Sequence, residues 1–237
     1  MRLVISQPMF FPWVGLLEPI CLADTWVFYD DVQFSKGSFT NRVQYKTAQG
    51  TRWLTLPLAR RSLGDRIDAI RVDDRVDFRE EHLAKLEQAY RGAPYRSEML
   101  QVVSALYEDC DNSLCDLAVR SQCALAAYFD LPQPRWLRSS ELAIGGSGSR
   151  RVLDHCLRLS ATSYVTGHGA RNYLDHEAFE RAGIEVRYMD YERRPYRQLH
   201  GAFTPYLSAL DLIANEGPEG RRFIGGSSRA WREAVAA

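Results

Sequence analysis

Apolar residues open the chain as a short run. Residues 2–6 read as a strand that Gln7-Pro8 breaks at once. A loop rich in proline and aromatic rings follows, then a helix-like stretch from about Val14 to Ala23. Thr25–Tyr29 is β-branched and aromatic, which predicts a buried strand ending at Asp30 and Asp31. Two further β runs, Arg42–Lys46 and Trp53–Leu58, flank Ala48-Gln49-Gly50 and predict a hairpin. Arg66–Val72 reads as another strand.

The period then changes from two to nearly four. Asp77 with Glu80 three residues on has the form of a helix start. Phe78, His82, Leu86 and Tyr90 share one face of that helix, and Gly92 with Pro94 closes it. Met99, Val102, Val103, Leu106 and Tyr107 give a second amphipathic helix, and a third runs from about Leu114 to Phe129. From Arg135 the alternation of strands and helices returns. Strands are predicted at Trp136–Ser139, Ser163–Thr166 and Ile184–Met189, and helices at Arg151–Leu159, Asp175–Ala182 and Leu207–Asn215, before a polar, glycine-containing tail. The expectation is one α/β domain over residues 1–237. It has a mostly parallel sheet flanked by helices, with a helical insertion or subdomain at about 77–130.

Composition narrows the function classes. Thirty basic residues balance thirty acidic ones, so neither nucleic acid nor a membrane surface is an expected partner. No run approaches the roughly 18 apolar residues of a membrane span, and the N-terminus lacks the long apolar stretch of a signal peptide. A cytoplasmic location is expected. The five cysteines, Cys21, Cys110, Cys115, Cys123 and Cys156, show no CxxC spacing and no nearby histidine, so buried free thiols are expected and no metal or cofactor.

Candidate chemistry follows from where ligands gather in parallel α/β folds, at the carboxyl ends of strands. Four polar segments sit there: Ser6-Gln7-Pro8, Asp30-Asp31-Val32-Gln33, Gly167-His168-Gly169 and Asp190. The first continues through Trp13 to Gly15, whose place at a helix start suits an anion or close backbone approach, or simply a packed loop anchored by Trp13. The second carries two carboxylates, Lys36, Asn41 and Arg42, which could hold a polar substrate or pair with one another at the surface. His82 lies on an apolar helical stripe and His168 between two glycines after a strand. The Gly-rich run 145–148 lacks the Gly-Lys-Ser/Thr ending of a phosphate loop and reads as a mobile connection.

The strings QPMFFPWVG at residues 7–15, VFYDDVQFSKGSFTNR at 27–42 and WLTLPL at 53–58 resemble the signature of the WbqC-like protein family. So do HLAKLEQAYRGAPY at 82–95, SSEL at 139–142, SYVTGHGARNYL at 163–174, AGIEV at 182–186 and LSALDLIAN at 207–215. Two positions depart from the family pattern: Ser6 stands where many relatives have histidine, and Arg193 replaces the histidine of a later element. The resemblance implies a cytosolic α/β protein of bacterial surface-polysaccharide and secondary-metabolite pathways. It suggests an amide-forming acyl- or aminoacyl-transferase that takes its acyl group from a thioester on coenzyme A or a carrier protein and passes it to a small-molecule amine. In that reading Asp30, Asp31 or His82 serves as base, while Gln7, Trp13, Gly15, Lys36, Asn41, Arg42, Gly167 and His168 bind substrate. Two other readings stand beside it: a nucleotidylyltransferase or adenylate-forming ligase, and a noncatalytic binding protein of a biosynthetic complex.

Overall fold

The structure is a computed structural model that describes residues 1–108 and 111–236. Among these residues the strands are, in chain order, β1 (Arg2–Ser6), β2 (Thr25–Phe28), β3 (Arg42–Thr47), β4 (Gly50–Thr55), β5 (Arg135–Arg138), β6 (Ser163–Thr166), β7 (Glu185–Met189) and β8 (Ser228–Ala230). The helices are α1 (Val14–Leu17), α2 (Phe78–Ala89), α3 (Arg96–Glu108), α4 (Leu114–Tyr128), α5 (Ser139–Leu142), α6 (Gly148–Arg158), α7 (His176–Arg181), α8 (Ala209–Glu216) and α9 (Trp231–Ala236). Cys110 lies outside the described residues.

Six strands form one sheet in the order β5-β2-β1-β6-β7-β8, and β3 pairs with β4 in a separate hairpin. All pairings in the large sheet are parallel except β7 with β8. The sheet is therefore α/β and mostly parallel, as the alternating elements predict. The chain winds from β1 through β2 to β5 in one direction, then returns to the centre and continues through β6 and β7 in the other. The two directions part between β1 and β6.

Alternation along the strands sorts side chains into two cores. Leu3, Ile5, Val27, Tyr164 and Val186 pack on one face with Val152 and Cys156 of α6 and Phe179 of α7. Val4, Trp26, Phe28 and Val165 pack on the other, larger face with Leu17 of α1, Leu86 of α2, Val103 of α3, Leu125 of α4 and Leu212 of α8. Helices α2–α4 thus share their core with the sheet and do not enclose one of their own. Asp77, Ser113, Asp175 and Ser208 cap α2, α4, α7 and α8 by accepting from backbone N–H groups of the first turn. Among the described residues no helix is long and apolar enough to cross a membrane.

Two segments differ from the sequence expectation. Arg66–Val72 is not a ladder strand but contains a 3₁₀ turn at Ile67–Ala69. Its amides bond to the loop after β2, Ile67 to Val32 and Asp68 to Asp30, so they have no strand to pair with. The polar tail, in contrast, carries β8 and α9. Arg187 of β7 donates to the side-chain and backbone oxygens of Ser228, tying that edge strand down.

One buried polar cluster anchors α8. Asp211 is fully buried and accepts from Tyr90 Oη at 3.0 Å and Tyr196 Oη at 2.8 Å. Burial raises its pKa above the usual carboxylate value. Removing this acceptor leaves two buried hydroxyls without it, at about 1–3 kcal/mol each. Asp211→Ala is expected to lower the unfolding free energy in urea by about 2–5 kcal/mol, and Asp211→Asn, which keeps one acceptor, by less.

Candidate functional site

A cavity of about 560 Å³ opens where the two winding directions part. It is lined by the carboxyl ends of β1 (Ser6), β6 (Thr166) and β7 (Met189), and by Gln7, Tyr29 and Gly167 just beyond the strands. This is the crevice in which open α/β sheets bind ligands. The cavity straddles the sheet edge. Val4, Leu16, Pro19 and Val165 give an apolar wall on one face, and Tyr164, Thr166, Tyr173, Gly148 and Val152 a more polar wall on the other. None of the described residues that line it is charged.

The polar wall is built from hydroxyls. Tyr164 Oη donates to Thr166 Oγ1 at 3.2 Å. Burial pushes the phenols of Tyr29, Tyr164 and Tyr173 up, so all three are neutral donors near neutral pH. Gly148 begins α6, and both it (φ 57) and Gly146 (φ 88) adopt left-handed backbone, which glycine accepts without strain. That conformation brings the helix start, with its free N–H groups, to the cavity wall.

The carboxylates are close by but already engaged. Asp30 is fully buried and accepts from Ser140 N at 2.9 Å and Ser140 Oγ at 2.7 Å, closing the first turn of α5. Asp31 accepts from the Arg151 guanidinium. Neither lines the cavity, so the role of free general base expected for them does not fit their partners. His82 is only 1% exposed, with Nε2 3.1 Å from Thr55 O and Nδ1 2.8 Å from Tyr107 Oη. A carbonyl can only accept, so Nε2 carries the proton and Nδ1 accepts from the phenol. Burial lowers its pKa to about 4. It is a neutral structural strut between β4, α2 and α3, not a catalytic base.

The other expected binding residues divide. Gln7 and Gly167 line the cavity; His168, between the lining glycines Gly167 and Gly169, is exposed and does not itself line it, its ring stacked 5.9 Å from that of Tyr188. Trp13 packs edge-on against Tyr191 and Tyr206, and a Cβ on Gly15 would come within 2.1 Å of the Trp13 ring. Gly15 therefore makes room for an indole, not for a ligand. Asn41 donates to Leu56 O, and Arg42 donates to Gly37 O while lying 4.2 Å over Trp53, so both brace the β3–β4 hairpin. Lys36 is exposed on the preceding loop.

Tyr29, Thr166, Tyr173 and Gly148 are cavity residues that charge-based searching of the sequence passes over. For Tyr29, Thr166 and Gly148 the signal was position alone, at or just past strand ends and at a helix start, whereas Tyr173 follows the 3₁₀ turn His168–Asn172. Of the two departures in sequence, Ser6 lies in the cavity itself, and Arg193 lies 5.4 Å over the ring of Tyr206 beside Trp13. Among the described residues no group of three or more His, Cys, Asp or Glu side chains is placed to hold a metal ion.

The WbqC-like protein family matches residues 7–223, from the cavity glutamine to beyond α8. The chain belongs to this family. It is also 30% identical over 225 residues to the uncharacterized protein Rv1507c of Mycobacterium tuberculosis (strain ATCC 25618 / H37Rv), covering 94% of this chain and 97% of that one. No solved structure matches it significantly. For this WbqC-like protein, the match begins one residue after β1 and includes β6 and β7, the other strands whose carboxyl ends line the cavity.

The His82 geometry generates a pH test. A histidine whose folded pKa is about 4 binds its proton less readily than the unfolded chain, with a value near 6.5. Its contribution is complete above pH 6.5 and is lost as pH falls toward 4, by up to about 3 kcal/mol. His82→Ala should lower stability by about 1–3 kcal/mol at pH 8 and flatten the slope of stability between pH 6.5 and 4. Urea denaturation across that range checks both.

Proposed function

We propose that this WbqC-like protein is an amide-forming acyl- or aminoacyl-transferase whose reaction takes place in the switch-point cavity. The observation that carries the reading is the character of that cavity. It combines an uncharged apolar wall with facing neutral hydroxyls and a helix start, which suits a thioester acyl group better than a polyphosphate. Aminolysis of a thioester needs donors for the developing oxyanion and an acceptor for the amine proton. The hydroxyl wall and the N–H groups at the start of α6 can supply the donors. His168, flanked by the lining glycines Gly167 and Gly169, is the proposed proton acceptor.

Direct attack by the amine is favoured over a covalent acyl-cysteine. Burial pushes the thiols of Cys115 and Cys156 up to about 12 and that of Cys123 to about 11, and it raises Cys21. Such thiols are weak nucleophiles at neutral pH, and none of the four lines the cavity. The location is proposed to be cytoplasmic, where acyl thioesters of coenzyme A and carrier proteins are found.

One observation favours a second reading. The order β5-β2-β1-β6-β7 is a doubly wound arrangement with a single switch point, which also suits nucleotide-binding enzymes, among them adenylate-forming ligases.

Purified protein incubated with acyl thioesters and small amines should yield new amide and free thiol by mass spectrometry, without ATP. His168→Ala should lower kcat by about 10²–10⁴-fold. Pyrophosphate release that requires ATP would move the assignment to the ligase reading.

A further inference from the structure

Behind the polar wall lies a buried cluster that the transfer reading leaves unused. Arg151 and His155, four residues apart on α6, approach the Tyr29 ring. The Arg151 guanidinium carbon lies 5.0 Å from the ring centre, and the His155 ring meets it edge-on at 5.6 Å. Both are locked. Arg151 donates from Nε to Ile144 O at 2.8 Å and from Nη2 to Asp31 and to Ser139 Oγ at 3.4 Å. His155 Nδ1 donates to Arg151 O at 2.8 Å, which leaves Nε2 to accept from Ser139 Oγ at 2.9 Å. Ser139 and His155 are fully buried and Arg151 is 7% exposed. Of Asp31, Ser139, Arg151, His155 and Tyr29, only Tyr29 lines the cavity. Its backbone N–H donates to Ser6 O at 2.8 Å, which fixes it against the end of β1.

We propose that Tyr29 is the hydrogen-bond donor that the cavity offers to the carbonyl under attack, with Arg151 as its positioning residue. The proposal rests on the acyl-transfer reading above. A buried ion pair is a poor source of stability, since an apolar pair of similar volume serves as well. Here the pair is costlier still, because Asp31 Oδ1 is buried with no hydrogen-bond partner among the described residues. What an apolar pair cannot provide is a fixed cation beside a phenol in a poorly hydrated place, where charge acts strongly. The charged and titratable groups that face Tyr29 are Arg151, Asp31, His155 and Tyr173. Asp31 and Tyr173 disfavour the phenolate, and Arg151 opposes them. Arg151 therefore strengthens donation from Tyr29 to an oxygen that gains negative charge.

The reaction balances without any other reagent. The amine nitrogen bonds to the thioester carbon while the carbonyl electrons move to oxygen, against the Tyr29 O–H. As the carbonyl re-forms the C–S bond breaks, and the proton lost by nitrogen ends on the departing sulfur. Tyr29 keeps its proton throughout.

Two readouts test this on the full chain. With ring-¹³C tyrosine, the Tyr29 resonance is assigned by its loss in Tyr29→Phe and followed by NMR through a pH titration. In Arg151→Met the phenol should titrate at higher pH than in the wild type; an unchanged titration overturns the positioning role. Should Arg151→Met fail to fold, Arg151→Lys carries the same titration, with a smaller upward displacement expected because the fork to Asp31 and Ser139 is lost. In the transfer assay Tyr29→Phe should lower kcat by about 10²–10³-fold with KM little changed. Wild-type turnover in Tyr29→Phe overturns the donor role. A wild type that transfers no acyl group overturns the transfer reading and the donor role with it, while the titration still decides whether Arg151 governs the phenol.

Discussion

The pairing of β1 with β6 is the constraint on which the rest of the molecule depends. Among the described residues β1 joins the two halves of the sheet, bonded to β2 on one side and β6 on the other. Its middle residues, Leu3 and Val4, are almost completely buried, and they point into different cores. Because the chain leaves β1 in one direction and returns to its other side at β6, the helices that follow these strands diverge over opposite faces. No side chain from either core fills the gap at the strand ends. The cavity is a consequence of winding, and its lining from both cores reflects that origin.

Around this gap charge is managed by pairing. The carboxylates that follow β2 are taken by α5 and α6, Asp30 by Ser140 and Asp31 by Arg151. That leaves hydroxyls, a glutamine and backbone N–H groups facing the cavity. A site lined this way, with no charged side chain, holds neutral groups well and offers no counter-charge to a concentrated one. The same burial that keeps the phenols neutral also keeps the thiols protonated, which fits chemistry between two bound substrates better than chemistry through a cysteine.

The fold was legible because it follows from periodicity. Two-residue alternation marked β1 and β7, β-branched and aromatic residues marked β2, and the longer period of Phe78, His82, Leu86 and Tyr90 marked α2. Arg66–Val72 was misread because its apolar pattern suits a strand, while its amides bond to the loop after β2, to its own 3₁₀ turn and to Asn112. The site was legible in place more than in role. Strand ends picked out Gln7 and Gly167, which line the cavity, and also Asp30 and Asp31, whose partners lie 110 and 120 residues further along the chain. No local pattern shows that a carboxylate at a strand end is already occupied from that distance. Gly15 misled for a similar reason, since a glycine that admits a ligand and one that admits an indole look alike in sequence. Tyr29 stood beside the two aspartates and was passed over because aromatic residues at strand ends are usually core.

The central claim is that the crevice between β1 and β6 is where this WbqC-like protein holds an uncharged acyl group. Backbone NMR of the labelled protein titrated with an acyl-pantetheine tests it most directly. The account predicts saturable shifts concentrated at Ser6, Gln7, Tyr29, Gly148, Thr166 and Gly167. Shifts confined to the separate hollow beside Arg52, Lys85 and His200, with the strand ends unmoved, would contradict it.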